Sequence, residues 1–400
     1  MVALLLGLQN ASLLRLRPSH AIRAFSTSLT RPTKKSANPP FELLLMGGDS
    51  FSVKIFDKLF ETKGLWSHIH VTTTPDAAVG RNYRQIASPP LKKWAADRGI
   101  PITVVPQEGM TSFSLPEPFT SSPSLHQILL VASFPHMLPN SIISSFPNLH
   151  ALNVHPSLLP RYRGAAPIQR AIMNGDPDTG VSLQTLSNEE FDRGDVLSQR
   201  QVKLPKNVVY NDALNILANE GAALLLEALN DFETVKSGAK GQSELESTFS
   251  PSAASKIRHH HSHIDFSTWT AKDAECRFRA FGHQHGLRAH LPASSARKRT
   301  KTIILRSVLP LTIDSSHPLS DQAQSCLRQA EPGTLCYDAQ QSRLFLKFRS
   351  TAEGDGELRE EDVLEVKELQ TESKRVLNAV EWWLGTGGKR ALKLSSYKAD

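Results

Sequence analysis

The chain reads as a doubly wound α/β domain followed by a small β-barrel. Three observations carry that expectation. Over roughly the first half, short apolar runs of strand length alternate with amphipathic stretches of helix length, the pattern of a parallel sheet flanked by helices. A Ser/Gly-rich, aperiodic stretch at 236–255 then interrupts the alternation. Beyond it, short β-like runs separated by turn residues take over, and basic side chains concentrate.

The α/β part is expected over 39–235. Leu43, Leu44, Leu45 and Met46 form a continuous apolar run, Gly47-Gly48 follows, and a helical pattern passes through Ile55 and Leu59. That is a buried strand, a tight turn and a helix. The glycine pair lacks the G-x-G-x-x-G spacing of a dinucleotide cradle. "SHIHVTTTPD" is the next strand, "PPLKKWAADRG" a helix stopped at Gly99, and "IPITVVP" and "HQILLVASF" two further strands. "NLHALNVH" is a strand that delivers Asn153 and His155 to its carboxyl end, where ligands of such sheets lie. Asn211 is expected to cap a helix reaching about Asn230, with Leu214, Leu217, Leu224, Leu225 and Ala228 on its buried side.

The stretch 236–255 is expected as a linker, and 256–400 as the second domain. From Lys256 to Arg306 there are eleven Lys/Arg against three acids. Such a concentration suits a polyanionic partner, although a solvated surface has the same composition. "TIILRSVLP", "GTLCYD" and "RLFLKF" read as barrel strands, and "SKRVLNAVEWWLG" as a helix that Trp382 and Trp383 dock on the barrel.

The formal charge of +7 is unevenly placed. Arg15, Arg17, Arg23, Arg31, Lys34 and Lys35 account for all but one unit of it, and no acid occurs from Met1 to Phe41. A basic, Ser- and Leu-rich, acid-free start is the signature of a mitochondrial transit peptide, expected over 1–38 and directing the chain to the matrix. No apolar run approaches the ~20 residues of a membrane span, so no membrane partner is expected. Cys276, Cys326 and Cys336 form no CxxC pair; they are expected as separate thiols in a reducing compartment.

"NVHPSLLPRYRGAAPIQ" (153–169) carries the chemistry. On an extended backbone Asn153 and His155 point the same way, and both can donate to one oxygen. Two convergent donors suit negative charge developing on a carbonyl oxygen, that is, acyl transfer; a structural turn pair is the alternative. Downstream, "GVSLQTLSNEEFDRGDV" (180–196) is a strand and a loop offering Asp192 and Asp195, either of which could pair with His155 and fix its tautomer. Ser157 lies outside a G-x-S-x-G elbow. "RHHHSH" (258–263) has no carboxylate or Cys set beside it and reads as a solvated helix start, so no metal is expected.

The loop "SLLPRYRGAAPIQRA" after Asn153-x-His155, together with "FDRGD", resembles the methionyl-tRNA formyltransferase family, and the likeness runs from "FELLLMGG" to "VKELQTESKRVLNAVEWWLG". The resemblance implies a Rossmann-like formyltransferase domain, an OB-like C-terminal barrel that holds tRNA, and a monomer. It implies 10-formyltetrahydrofolate as formyl donor and initiator methionyl-tRNA as acceptor. It makes Asn153, His155 and Asp192 the catalytic set, with Asp195 in reserve because the interval from Gly180 is one residue longer than the family's and Arg193 stands where the family has Thr or Ala. Folate would lie along Ser133, Phe134, Met137, Leu138 and Pro139 and the turn Ser157, Leu158, Leu159 and Pro160. Arg81, Arg84, Arg161, Arg163, Arg297, Lys298, Arg299 and Lys301 would meet the tRNA.

The same Asn-His-Asp domain could instead formylate a glycinamide ribonucleotide or an amino sugar, or hydrolyse formyl-folate. A catalytically silent RNA-binding protein is a further reading. The first group gives no reason for the basic second module, and the last none for an intact triad.

Overall fold

The computed structural model describes residues 40–79, 84–120, 122–187, 189–293, 299–312, 318–350, 358–388 and 391–397. The expected transit segment 1–38, and Arg81, Arg297 and Lys298, lie outside these residues.

In the first half the elements are β1 (Phe41–Gly47), α1 (Ser50–Glu61), β2 (Trp66–Thr73), a small ribbon of β3 (Ala77–Val79) and β4 (Gln85–Ala87), α2 (Pro90–Ala96), β5 (Ile102–Val104), β6 (Gln127–Ala132), α3 (Asn140–Ile143) and β7 (Ala151–His155). They continue as α4 (Pro167–Met173), β8 (Asp178–Thr185), β9 (Val196–Lys203), α5 (Tyr210–Asn230), α6 (Phe232–Ser237) and α7 (Gln242–Leu245). One sheet has the order β5-β2-β1-β6-β7-β8-β9, parallel from β5 to β7 and antiparallel beyond.

β1 lacks polar alternation because both of its faces are covered. Leu43 and Leu45 pack in one cluster with residues of α1, α2 and α5, while Leu44 and Met46 face Val105, Phe113, Phe119 and Phe146 on the other side. That second face is closed by irregular chain and the one-turn α3 rather than by long helices. α5 buries Leu214, Leu217, Leu224, Leu225 and Ala228, but it starts before Asn211. Its cap position falls on Val209, which has no side-chain acceptor to offer, and Asn211 sits inside the first turn.

The stretch 236–255 is laid back across the first half of the chain. α6 runs through Lys236, Lys240 bridges Val196, Ala253 bridges Arg163, and Gln242 is buried.

The second half holds α8 (Ala271–Phe281), β10 (Leu287–Leu291), β11 (Lys301–Pro310), α9 (Asp321–Gln329), β12 (Thr334–Asp338), β13 (Arg343–Lys347), β14 (Val363–Thr371), β15 (Val376–Asn378), α10 (Ala379–Leu384) and β16 (Ala391–Lys393). Its antiparallel sheet runs β10-β11-β14-β13-β12-β16, with β15 added on β14. His290 of β10 and Ser395, just past β16, exchange backbone hydrogen bonds of 3.0 and 2.8 Å, which curls the sheet back on itself.

Three expectations are corrected here. The helix over 373–385 shrinks to α10, because 376–378 find strand partners on β14 and Asn378 caps the turn by accepting from Glu381 N. Trp382 and Trp383 are nonetheless buried, Trp383 stacked on Tyr337. Cys326 and Cys336 are joined in a disulfide, since α9 folds back on β12 and brings their Cα atoms to 6.3 Å; Cys276 is a buried free thiol. The His-rich run is a single 3-10 turn, His259–Ser262, not a helix start, and no metal-binding group of three or more side chains occurs among the described residues.

No helix among the described residues is long and apolar enough to cross a membrane. The basic stretch is also less free than its composition suggests. Lys272 and Arg279 pair with Glu275, Arg277 with Asp273 and Arg288 with Glu372, while Lys256, Arg258, Arg299 and Lys301 are exposed.

Candidate active site

Strand register assembles the site. Asn153 and His155 lie on one face of β7, and the antiparallel partner β8 sets Gln184 opposite Asn153 and Ser182 opposite His155. The loop from β8 to β9 then brings Asp192 over them. Its Oδ1 accepts from Asn153 Nδ2 at 3.1 Å and Gln184 Nε2 at 2.8 Å, and lies 3.3 Å from His155 Nδ1. Its Oδ2 accepts from the Gly164 backbone N–H at 2.9 Å.

His155 is 5% exposed, and its Nε2 lies 2.9 Å from the carbonyl of Tyr162. A carbonyl only accepts, so Nε2 carries a proton, and Nδ1 is the nitrogen turned to the carboxylate. The contact at Nδ1 is the longest in the cluster, and Asn153 has a second amide N–H beyond the one given to Asp192. Both side chains border one cavity.

Three non-glycine residues around this cluster have left-handed backbone: Ser133 (φ 49°), Tyr162 (φ 61°) and Asp192 (φ 57°). Such conformations cost about 1–3 kcal/mol each and persist where the surroundings over-determine them. For Asp192 those surroundings are visible. A Cβ on Gly194 would stand 1.8 Å from Thr185 O, so only glycine lets the loop pass this close to β8. Gln242 Nε2 donates to the carbonyls of Asp192 and Gly194, both at 2.9 Å, and its Oε1 accepts from Arg163 Nε at 2.8 Å. Asp195, the alternative carboxylate, points elsewhere; its N–H donates to Thr185 Oγ1, and it does not reach His155.

The cavity measures about 460 Å³, within the range of small-ligand sites. Ser133, Phe134, Met137 and Leu138 line it, as do Asn153, His155 and Asp192. Pro139 does not; it stands at the start of α3. Ser157, Leu158, Leu159 and Pro160 are turned into the protein as well, which corrects their assignment to the ligand. Ser157 Oγ donates to Arg161 O, Ser182 Oγ donates to Ser157 O, and Gln199 Nε2 donates to Leu159 O, so this turn is spent on holding the loop. Arg161 is paired with Asp176 at 2.7 Å, Arg163 with Gln242, and Arg84, Arg299 and Lys301 are exposed.

Several cavity or supporting residues are absent from the sequence reading. Gln184 was legible in principle, as a polar residue one strand across from Asn153. Gln242 carried no signal, lying in a stretch that composition marks as linker. Lys256, exposed and at the cavity wall, comes from the second half of the chain. Asp49 caps α1 by accepting from Phe51 N and Ser52 N at 3.0 and 3.2 Å. Loss of hydration on burial raises its carboxyl, against the lowering effect of Ser52 N–H and the Ser133 hydroxyl. Tyr210, across the cavity, is pushed up to about 12 by burial and, second, by the charge of Asp49.

Both halves of the chain match known proteins. Residues 42–229 match the family model described as formyl transferase, and 256–387 that of the formyl transferase C-terminal domain. A solved sugar 3N-formyl transferase, studied with dTDP and 5-N-formyl-THF, superposes with a TM-score of 0.50 at 14% identity, over 84% of this chain and 99% of that one. An N-formyltransferase of Helicobacter canadensis, in complex with folinic acid and dTDP-3-aminofucose, gives 0.50 at 14% over 83% and 99%. At that identity these two speak to the fold alone. Among curated proteins, a methionyl-tRNA formyltransferase of Listeria innocua is 36% identical over 208 residues, 52% of this chain. One of Staphylococcus aureus is 32% identical over 236 residues, 56% of this chain and 68% of that protein. The chain spans 64% of the length of the Listeria relative. In class, then, both halves are formyl transferase. The chain belongs to the methionyl-tRNA formyltransferase family.

Proposed function

We propose that this protein transfers the formyl group of 10-formyltetrahydrofolate to the α-amino group of methionine esterified to initiator tRNA, in the mitochondrial matrix. The observation that carries the reading is the convergence of Asn153, His155 and Gln184 on the Asp192 carboxylate at the wall of one cavity. The exposed cations of the second half supply what a small acceptor would not need.

The cavity suits the donor. Phe134, Met137 and Leu138 offer an apolar wall for a flat ring system, beside the polar Ser133. The substrate amine attacks the formyl carbon, the bond from that carbon to folate N10 breaks, and one amine proton is delivered to N10. The second N–H of Asn153 donates to the oxygen on which charge develops, with the His155 ring beside it at the cavity wall; a preorganised donor of this kind is worth about 10²–10³ in rate. Asp192 holds the His155 ring in place from its Nδ1 side and receives the proton that leaves the attacking amine.

The decisive experiment incubates the purified protein with formyl-folate and methionyl-tRNA and scores formyl-methionine after ester hydrolysis. Amino-sugar nucleotides and water are the competing acceptors. Turnover with either of those and none with methionyl-tRNA would reject the reading. For the location, residues 1–38 fused to a reporter should carry it into the matrix, and a cytosolic reporter would refute that part.

A further inference from the structure

Phe191 is a large apolar side chain left 51% exposed on the loop that carries Asp192. It is not on a loose tip. The left-handed backbone at Asp192 turns that carboxylate inward and leaves its neighbour facing outward, while Gln242 and the close passage of Gly194 against β8 fix the loop from behind. The ring belongs to two openings at once. It lines the catalytic cavity, and it lines an adjoining surface groove of about 420 Å³ with Arg163, Gly164, Glu190, Arg193, Ser252 and Ala253. Arg193 is held by Glu190 at 2.7 Å, and Arg163, whose Nε donates to Gln242, lines the groove. The mouth of the catalytic cavity thus continues into a groove with an aromatic face at its threshold and a guanidinium along it.

We propose that this groove seats the terminal nucleotide of the aminoacyl-tRNA, its base stacked on Phe191 and its phosphate beside Arg163. The proposal rests on the reading of the protein as a methionyl-tRNA formyltransferase. An aminoacyl ester hangs from the ribose of the last nucleotide, so an amine placed at Asn153 and His155 brings that nucleotide to the rim of the same cavity. Phe191 is one residue from Asp192, whose Oδ1 is 3.3 Å from His155. A base–aromatic stack is sequence-tolerant and suits an end that all tRNAs share; recognition of the particular tRNA then belongs to surfaces further off.

The test uses the full chain and methionyl-tRNA whose terminal adenine is replaced by 2-aminopurine, a base whose fluorescence is quenched by stacking. Wild-type protein should quench it; Phe191→Ala should not, and Phe191→Trp should. With ordinary methionyl-tRNA, Phe191→Ala should raise KM roughly 10-fold, with kcat and the affinity for formyl-folate held near wild type. Wild-type turnover of methionyl-tRNA combined with unchanged KM and quenching in Phe191→Ala would overturn this inference alone. A fall in formyl-folate affinity in that variant would also overturn it, assigning the ring to the donor. Failure of the wild-type protein to formylate methionyl-tRNA would remove both this inference and the functional reading.

Discussion

Replacing Gln242 by alanine removes a side chain that ties the Asp192 loop to the chain behind it. The amide donates to Asp192 O and Gly194 O at 2.9 Å and, more weakly, to Gln184 Oε1 at 3.3 Å, and it accepts from Arg163 Nε at 2.8 Å. Gln242 is 6% exposed, so the two carbonyls lose a partner in a place that water reaches poorly. A buried polar group left without its partner costs about 1–3 kcal/mol, and water entering the vacated volume recovers part of that. The expected loss of stability is therefore about 2–4 kcal/mol. The rate should fall as well, because Asp192 would no longer be held against His155, and a displacement of the order of 1 Å at a catalytic group can cost ~10²-fold. Urea unfolding gives the first quantity as a lowered midpoint at unchanged slope. Steady-state formylation gives the second as a lower kcat with little change in KM for formyl-folate, since Gln242 does not line the cavity. Gln242→Glu, similar in size but with carboxylate oxygen against carbonyl oxygen, should be no better. A Gln242→Ala protein within ~0.5 kcal/mol of wild type and with wild-type kcat would refute the argument.

Asn153→Ala and His155→Ala should each lower kcat by about 10²–10³ with the fold intact, because the first removes a donor at the cavity and the second the ring beside it; near-normal turnover in either would remove the mechanism. Asp192→Asn should be far more damaging than Asp195→Asn, since only Asp192 reaches His155, and the reverse order of rates would move the role to Asp195. Acid should weaken the fold through His263, which burial first, and then the charges of His259 and Arg288, depress to about 4 from an ordinary 6.5. Below pH 6.5 the unfolded chain takes up a proton that the folded one refuses, so this share of stability is whole above 6.5 and is lost as pH falls toward 4. The urea midpoint of His263→Gln should fall less between pH 7 and 5 than that of wild type; parallel profiles would show that His263 contributes nothing.

The parts of the fold most legible in the sequence are those whose signal is local. Leu43 to Met46 announce a strand covered on both faces, and the structure sends alternate residues of that run into two separate clusters. The Asn153/His155 pair was legible because period-two geometry places both on one face of a strand whatever surrounds them. What failed depended on distant partners. Ser157 to Pro160 follow the His in sequence, where a ligand-lining turn is expected, but Ser182 and Gln199 draw them into the protein. Val376 to Asn378 fit a helical pattern, and β14 offers them a better set of hydrogen bonds. Cys326 and Cys336 are ten residues apart in sequence, and only the return of the chain from α9 to β12 brings them together. Gln242 is polar in a Ser/Gly-rich stretch, and nothing within that stretch tells that Asp192 and Gly194 are waiting for it.

The same wrapping decides how the basic second half can be tested. Removing everything after Ser255 would seem the direct experiment, yet one apolar cluster runs from Leu43 and Leu217 in the first half to Ile257, Phe266 and Phe281 in the second. Arg279 of α8 also donates to Val208 O, and Arg170 of α4 to Ser255 O. Truncation would expose that core, and a lost activity would then report unfolding rather than lost contact with RNA. Charge removal leaves the core alone. Arg258, Arg299 and Lys301 are exposed, with no ion pair to an acid among the described residues, whereas Arg279 and Arg288 already serve Glu275 and Glu372. Each Lys or Arg that neutralises a phosphate contributes roughly 0.7–0.9 log units of affinity per log unit of salt. Changing Arg258, Arg299 and Lys301 together to Gln should therefore flatten the salt dependence of tRNA binding by about 2–3 units and weaken binding at low salt. Folate affinity should stay put, because none of the three lines the cavity. An unchanged slope in a folded triple variant would mean that these side chains are a solvated surface, and the acceptor's phosphates would have to be sought along Arg84, Arg163 and Lys256 instead.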